Sequence, residues 1–173
     1  MKKTKSFLMT IIVFLIAGMT MQVQSQTEFE KGQMAINAGI SYGFDIEELG
    51  LRGGLTYFLS PEMRIGGDLN IWLVESPASG SQTALEINAN FNYIFYNEND
   101  MILYGIGSLG IHYARVKFTF LGESISESDS ELGLGIGGGF EYNLGPVSLF
   151  AEPKLFLTGF DQFKLNIGVR YYL

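Results

Sequence analysis

The chain has 173 residues, a formal net charge of −7 at pH 7 and no cysteine. This length is enough for one domain, and the lack of cysteine excludes disulfides, thiolate metal clusters and a cysteine nucleophile. The acidic balance argues against a nucleic-acid partner, because protein surfaces that bind nucleic acid are usually basic. The 22 glycines and 14% aromatic residues, beside only four prolines, favour twisted, packed β-structure over disorder.

The first 25 residues have the pattern of an export signal. Three lysines lie within the first five residues, an apolar run follows over 7–17, and small residues precede a cleavage position before Gln26. The apolar run is shorter than the roughly 20 residues that a membrane-spanning helix needs. We therefore predict a cleaved signal peptide over 1–25 and a single mature domain over 26–173.

Eight segments follow in which apolar residues alternate with glycine, asparagine, serine or charged residues, which is the period of a strand. They cover residues 33–44, 51–59, 63–73, 85–95, 101–120, 131–143, 147–157 and 163–173. In the fifth segment the apolar phase flips after Tyr113, which requires either a bulge or an exit from the bilayer. Pro153 interrupts the seventh segment, so we expect a local pairing defect there.

The connections alternate between short and longer ones. The short turns are predicted at 60–62, 97–100 and 145–146, and the longer loops at 45–48, 75–82, 121–130 and 159–162. Strands of about ten residues are long enough to cross the apolar band when tilted, and both chain termini belong at the short-turn end. After residue 25 no apolar run approaches the length of a spanning helix, so membrane insertion requires a closed barrel.

Alternation alone also allows a secreted soluble barrel of the lipocalin kind, which has its apolar face inside. Two features favour the membrane. The polar face is mainly glycine, asparagine and serine, which suit a narrow filled lumen better than a solvated exterior. The apolar face carries aromatic residues near the strand ends, where an interfacial girdle lies: Tyr42, Phe44, Tyr57, Phe95, Tyr113, Tyr142 and Tyr171.

This pattern resembles the small outer-membrane barrels of the OmpA/OmpX type, from about Gly32 to the end of the chain. The last eight residues resemble the assembly signal of that family at Asn166, Gly168, Tyr171 and Leu173, although many members end in phenylalanine. The resemblance implies an all-β, eight-stranded, antiparallel up-and-down transmembrane barrel in the outer membrane of a Gram-negative cell. It also implies contact with lipid and lipopolysaccharide, and insertion by the barrel-assembly machinery.

Charged residues on the polar face form the main candidate site, which we call the lumen charge network. Its members are Arg52, Arg64, Asp68, Glu86, Glu141, Glu152, Lys154, Lys164 and Arg170. In a lumen too narrow for bulk water these charges must pair and plug the barrel. Folding neighbouring strands together places Glu152 beside Arg170, and Arg52 beside Asn70 with Asp68 diagonal to it. A narrow channel is the alternative.

His112 is the only histidine and raises the alternative of a lipid-modifying enzyme. Ser108, on the same face, is four residues away, roughly 13 Å at the rise of a strand, which is too far for a nucleophile and its base. The sequence leaves open an acidic partner for His112 on a neighbouring strand. We nevertheless predict no enzymatic activity and no cofactor. Arg115 and Lys117 point outward beyond Tyr113, where they either meet lipopolysaccharide phosphates or belong to a solvated hairpin.

The acidic, serine-rich segment 122–131 is interpreted as a solvated loop tip, because it lacks the ligand order of an EF-hand loop. The glycines at 135 and 137–139 are interpreted as relieving crowding in the lumen. We therefore predict an outer-membrane barrel with a structural or surface-interaction role and no open pore. Its extracellular partner is not predicted by the sequence.

Overall fold

The computed structural model describes residues 29–74, 80–120, 123–159 and 162–173, so the predicted signal peptide lies outside the described residues. Eight antiparallel strands close into one barrel in chain order, with β1 paired to β8. They are β1 (Met34–Gly43), β2 (Glu48–Phe58), β3 (Met63–Trp72), β4 (Gly80–Glu98), β5 (Met101–Phe120), β6 (Glu123–Asn143), β7 (Val147–Phe156) and β8 (Gln162–Tyr172). Within the described ranges there is no helix both long and apolar enough to cross a membrane.

The barrel has an apolar outside and a polar inside. Leu51 and Leu132 expose 53% and 60% of their surface, whereas Arg64 and Arg170 are buried. Because successive strand residues point to opposite faces, the period-two pattern places each set on one side of the wall. A soluble barrel would put the apolar set inside, so the exterior is one that suits lipid.

Strands β2, β4 and β6 begin earlier than predicted. The predicted loops 75–82 and 121–130 are wrong in part, because β4 starts at Gly80 and β6 at Glu123. Residues 123–130 pair with 113–120 of β5 and continue its ladder without a break. The segment alternates serine with acidic residues, a period-two pattern that a search for apolar residues overlooks.

The phase flip in β5 comes from an exit from the bilayer and not from a bulge. Both ladders of β5 run through Tyr113 without a shift of register. The bulge lies elsewhere, in β4, where Ile94 pairs with Tyr104 and Tyr96 with Leu103, so that Phe95 is the extra residue. This bulge was not predicted from the sequence.

The defect expected at Pro153 is present. The β6–β7 ladder pairs Phe140 with Ala151 and Gly137 with Lys154, but the pairs between them are missing. A proline has no amide hydrogen to donate to the ladder. The pairing resumes in the same register, so the proline interrupts β7 without displacing it.

Both described ends of the chain lie at the short-turn end of the barrel, where aromatic rings fill the lumen. Phe29 is buried, stacks on Phe58 at 4.6 Å between ring centroids and lies 5.3 Å from the ring of Tyr172. The backbone N–H of Gly32 donates to the carbonyl of Phe58 and holds the segment there. This aromatic cap was not predicted, because Phe29 precedes the first alternating segment.

Candidate functional site

All members of the lumen charge network point into the barrel and are buried. None exposes more than 7% of its surface. Five cations and four anions therefore lie together in a space from which water is largely excluded. An unpaired buried charge is strongly destabilising, so the stability of the folded barrel depends on how these groups pair.

Arg52 joins two carboxylates from opposite sides of the barrel. Its Nη2 lies 3.0 Å from Asp68 Oδ2 and its Nη1 2.7 Å from Glu152 Oε2. In the register of β2 and β3, Arg52 stands opposite Asn70 with Asp68 diagonal to it, as predicted from the sequence. The contact with Glu152 spans the lumen from β2 to β7.

Glu141 is the centre of the short-turn half of the network. It accepts hydrogen bonds from both terminal nitrogens of Arg64, at 3.1 and 3.2 Å, and also from Arg170 and the hydroxyl of Tyr172. The guanidinium of Arg64 lies 4.1 Å over the ring of Tyr104, whose hydroxyl donates to Glu152 at 2.8 Å. Charged and aromatic groups thus interlock across the barrel axis.

The expected juxtaposition of Glu152 and Arg170 is wrong in register. Glu152 stands opposite Asn166, and Arg170 opposite Ser148. The side chains nevertheless meet, with Arg170 Nη2 3.2 Å from Glu152 Oε1. A long arginine side chain lying along the lumen bridges the difference in register.

A smaller cluster lies toward the long-loop end. Lys164 donates to Glu86 and its ammonium lies 4.8 Å over the ring of Phe156. His112 Nδ1 is 3.7 Å from Glu86 Oε2, so the cross-strand acid left open by the sequence is Glu86. Ser108 donates instead to Asn90 Oδ1 at 2.6 Å, which leaves His112 and Ser108 in different contacts.

Little space remains between these side chains. A cavity of about 10 Å³ lies among Arg52, Asp68, Glu152 and Lys154, which is about the room one water molecule needs. Glycines on the wall make space for the large side chains, since a Cβ atom at Gly139 would overlap the ring of Tyr104. The crowding interpretation of the β6 glycines therefore agrees with the structure at Gly135, Gly137 and Gly139. It is wrong at Gly138, where a Cβ atom would come no nearer than 3.8 Å to the Tyr104 carbonyl.

The long-loop end is more open. A cavity of about 270 Å³ at this mouth is lined by Trp72, His112 and Gln162, among other residues. Beyond it, three strands continue past the last residue of β3 and past the β6–β7 ladder. We call residues 80–83, 115–120 and 123–132 the extension.

Arg115 and Lys117 are exposed on the face of the extension that continues the lipid-facing wall. Their partners across the β5–β6 ladder are Ser128 and Ser126. Within the described parts of the chain neither cation forms an ion pair. The acidic residues of β6, Glu127 and Asp129, lie on the opposite face, because residues one position apart in a strand point to opposite sides.

The residues of the C-terminal motif divide between the two faces of β8. Asn166 is buried, accepts a hydrogen bond from Ser41 Oγ at 2.7 Å and donates to the carbonyl of Glu152. Gly168 stands opposite Gly39 of β1. Tyr171 and Leu173 expose 49% and 64% of their surface on the lipid-facing side.

Similar folds are found among solved outer-membrane barrels. The attachment invasion locus protein Ail of Yersinia pestis is 18% identical, with a TM-score of 0.60 over 84% of this chain and 100% of that one. The N-terminal barrel domain of Pseudomonas aeruginosa OprF is 13% identical, with a TM-score of 0.62 over 84% and 100% of the two chains. OprG of the same organism is 13% identical, with a TM-score of 0.59 over 83% and 97%.

A comparison with curated proteins found no match. The family described as the outer membrane protein beta-barrel domain matches residues 11–173, which is most of the chain. The closed barrel and its apolar exterior agree with this description. The chain therefore belongs to the outer membrane protein beta-barrel domain family and is an integral protein of the outer membrane.

Proposed function

We propose that this protein is a sealed outer-membrane barrel whose extension is the working surface. The observation that carries the proposal is the unequal length of the strands: β4, β5 and β6 have 19, 20 and 21 residues, whereas β3 and β7 have 10. A strand of about ten residues suffices to cross the bilayer. Longer loops face the cell exterior in this type of barrel, so the surplus length stands outside the cell.

Shortening the extension tests this function. Residues 115–128 are replaced by Asn-Gly, a two-residue hairpin turn, which joins Ala114 to Asp129, a pair that already face each other in the ladder. We expect the shortened barrel to insert and to keep heat-modifiable migration. We expect the full chain to confer adhesion to protein-coated surfaces on cells that display it, and the shortened barrel to confer none.

Two results would contradict the proposal. One is adhesion by the shortened variant equal to that of the full chain. The other is steady ion conductance of the full chain in planar bilayers, because the cavity among Arg52, Asp68, Glu152 and Lys154 is only large enough for about one water molecule.

We also propose lipopolysaccharide phosphates as ligands of Arg115 and Lys117. Both are exposed just above the aromatic residue Tyr113, on the side that faces lipid. Charge-assisted hydrogen bonds to phosphate are among the stronger polar contacts. Ail has been crystallised with the heparin analogue sucrose octasulfate, another polyanion.

The variant Arg115→Ala/Lys117→Ala is expected to bind purified lipopolysaccharide at least about tenfold more weakly, since two charge-assisted contacts are lost. Titration of the refolded barrel in detergent measures this affinity. The matched control is Ser126→Ala/Ser128→Ala, which alters the same face without changing its charge. Unchanged affinity of the double charge variant would overturn the assignment.

We propose no enzymatic activity, and this rests on His112 and Ser108 making separate contacts in the lumen. We further propose that the barrel-assembly machinery recognises the C-terminal strand through Tyr171 and Leu173. Their exposure on the outer face supports that role.

A further inference from the structure

The cavity of about 270 Å³ at the long-loop end, which we call the mouth cavity, lies at the base of the extension. Two rows of inward-facing residues run beside it. In the lower row Asn70 stands opposite Glu86. In the row above, nearer the cell exterior, Trp72 stands opposite Ala84, and Ala84 opposite Ala114. The two small side chains leave space in front of the indole ring of Trp72, so this end of the lumen is open where the rest is filled.

The charge around the mouth cavity is negative. Of the described residues that line it, Glu48 carries a formal charge at pH 7, and none is a lysine or an arginine. Asp129 and Glu131 add two carboxylates, because alternate residues of β6 share its inward-facing side. Lys164 of the lumen charge network donates to Glu86 and is engaged there. A ligand of the mouth cavity is therefore expected to be a cation.

A buried amide below the mouth cavity supplies a second indication of a ligand. Asn70 is fully buried, and neither its Nδ2 nor its Oδ1 forms a hydrogen bond with a described residue. The amide lies against Gly50, where a Cβ atom would come within 2.6 Å of Nδ2. Gly50 stands opposite Trp72 in the upper row, so the amide is turned toward the mouth. Buried side-chain amides in native proteins have partners, and a ligand in the mouth cavity supplies one.

We propose that the mouth cavity binds a small organic cation with an ammonium group and a short apolar body. The ammonium lies on the β2 side, where Glu48 and the Oδ1 of Asn70 accept its hydrogen bonds. The apolar body packs against Trp72 and Ala84. A cavity of about 270 Å³ is slightly smaller than the roughly 300–1,000 Å³ of sites for drug-sized ligands. A protonated amine beside a carboxylate and an indole gains both ion pairing and cation–π attraction.

Titration of the full barrel in detergent with phenethylammonium tests the site. Trp72 is the only tryptophan of the chain, so a shift of its fluorescence reports binding at the mouth cavity, and calorimetry gives the affinity. Phenethyl alcohol has nearly the same shape without the charge and is expected to bind at least about tenfold more weakly. Phenylacetate, which is an anion, is expected to bind more weakly still. Equal affinities for the ammonium and the alcohol would overturn the inference.

Two variants with matched controls locate the site. Glu48→Gln is expected to weaken phenethylammonium binding at least about fivefold, because the ion pair is lost, whereas Glu47→Gln removes a neighbouring exposed carboxylate and is expected to change nothing. Ala84→Leu fills the cavity and is expected to abolish binding. Thr83→Leu places the same side chain on the outer face of β4 and is expected to preserve it. Equal affinities in a variant and its control would contradict the site. If Ala84→Leu lacks heat-modifiable migration, the two glutamate variants decide.

Asn70→Leu separates ligand binding from a structural role of the amide. The substitution removes a buried amide without a partner, so the free energy of unfolding measured without the amine is expected to be unchanged or raised. The affinity for phenethylammonium is expected to fall at least about fivefold. A loss of stability with unchanged affinity would contradict the assignment of Asn70 to the site.

The shortened barrel separates this inference from the proposed function. Replacement of 115–128 removes none of the described residues that line the mouth cavity, so the shortened barrel is expected to bind phenethylammonium as the full chain does. Loss of adhesion with retained amine binding supports both assignments. If neither barrel binds the amine while adhesion is still lost, the mouth-cavity inference falls and the proposed function stands.

Discussion

Glu141→Ala is expected to lower the free energy of unfolding by about 3–5 kcal/mol, the usual cost of leaving buried charges without their partner. The substitution removes one carboxylate from Arg64, Arg170 and Tyr172 together. Five lumen cations would then face three anions. Urea unfolding of the refolded barrel, followed by the fluorescence of the single tryptophan, Trp72, measures the change.

Two comparisons make this result specific. Glu98→Ala removes an exposed carboxylate at the end of β4 and is expected to change stability by less than about 0.5 kcal/mol. Arg170→Ala is expected to lower the free energy of unfolding less than Glu141→Ala does. In the Arg170→Ala variant Glu141 remains paired with Arg64, and Glu152 remains paired with Arg52. Arg170→Ala is also expected to leave ion conductance unchanged. A clear rise in single-channel conductance would show that the network does not plug the lumen.

Gly139→Ala is expected to destabilise the barrel by about 1–3 kcal/mol, the range for overpacking a filled interior. The added methyl group would overlap the ring of Tyr104. That ring cannot move freely, because its hydroxyl donates to Glu152 and Arg64 lies over its face. Chemical unfolding and heat-modifiable migration both measure the effect.

The neighbouring glycine supplies the matched control. A Cβ at Gly138 points outward and comes no nearer than 3.8 Å to the Tyr104 carbonyl, so Gly138→Ala is expected to be neutral or slightly stabilising. Should Gly139→Ala fail to fold, the double variant with Tyr104→Leu is expected to restore folding by returning the space. Equal losses at the two glycines, or no rescue, would show that the ring does not set the constraint.

Much of this barrel could be predicted from short-range pattern. The period of two assigned every member of the lumen charge network to the polar face, and the structure places each of them inside. Such an assignment requires only that successive side chains of a strand point to opposite faces and that one face contacts lipid. The Arg52–Asp68 pair was also accessible, because β2 and β3 are joined by a short turn that limits their register.

The sequence alone thus determined the strands, their two faces and the presence of buried charge. Closure of the barrel decided the partners. Arg64 of β3 pairs with Glu141 of β6, and Arg52 of β2 pairs with Glu152 of β7. Both pairs span the lumen, and the width of the lumen cannot be predicted from a local sequence pattern. Tertiary structure also decided the register of β7 against β8 and the burial of Phe29. These features depend on contacts between segments far apart in the chain, whereas the alternation of a strand depends only on neighbouring residues.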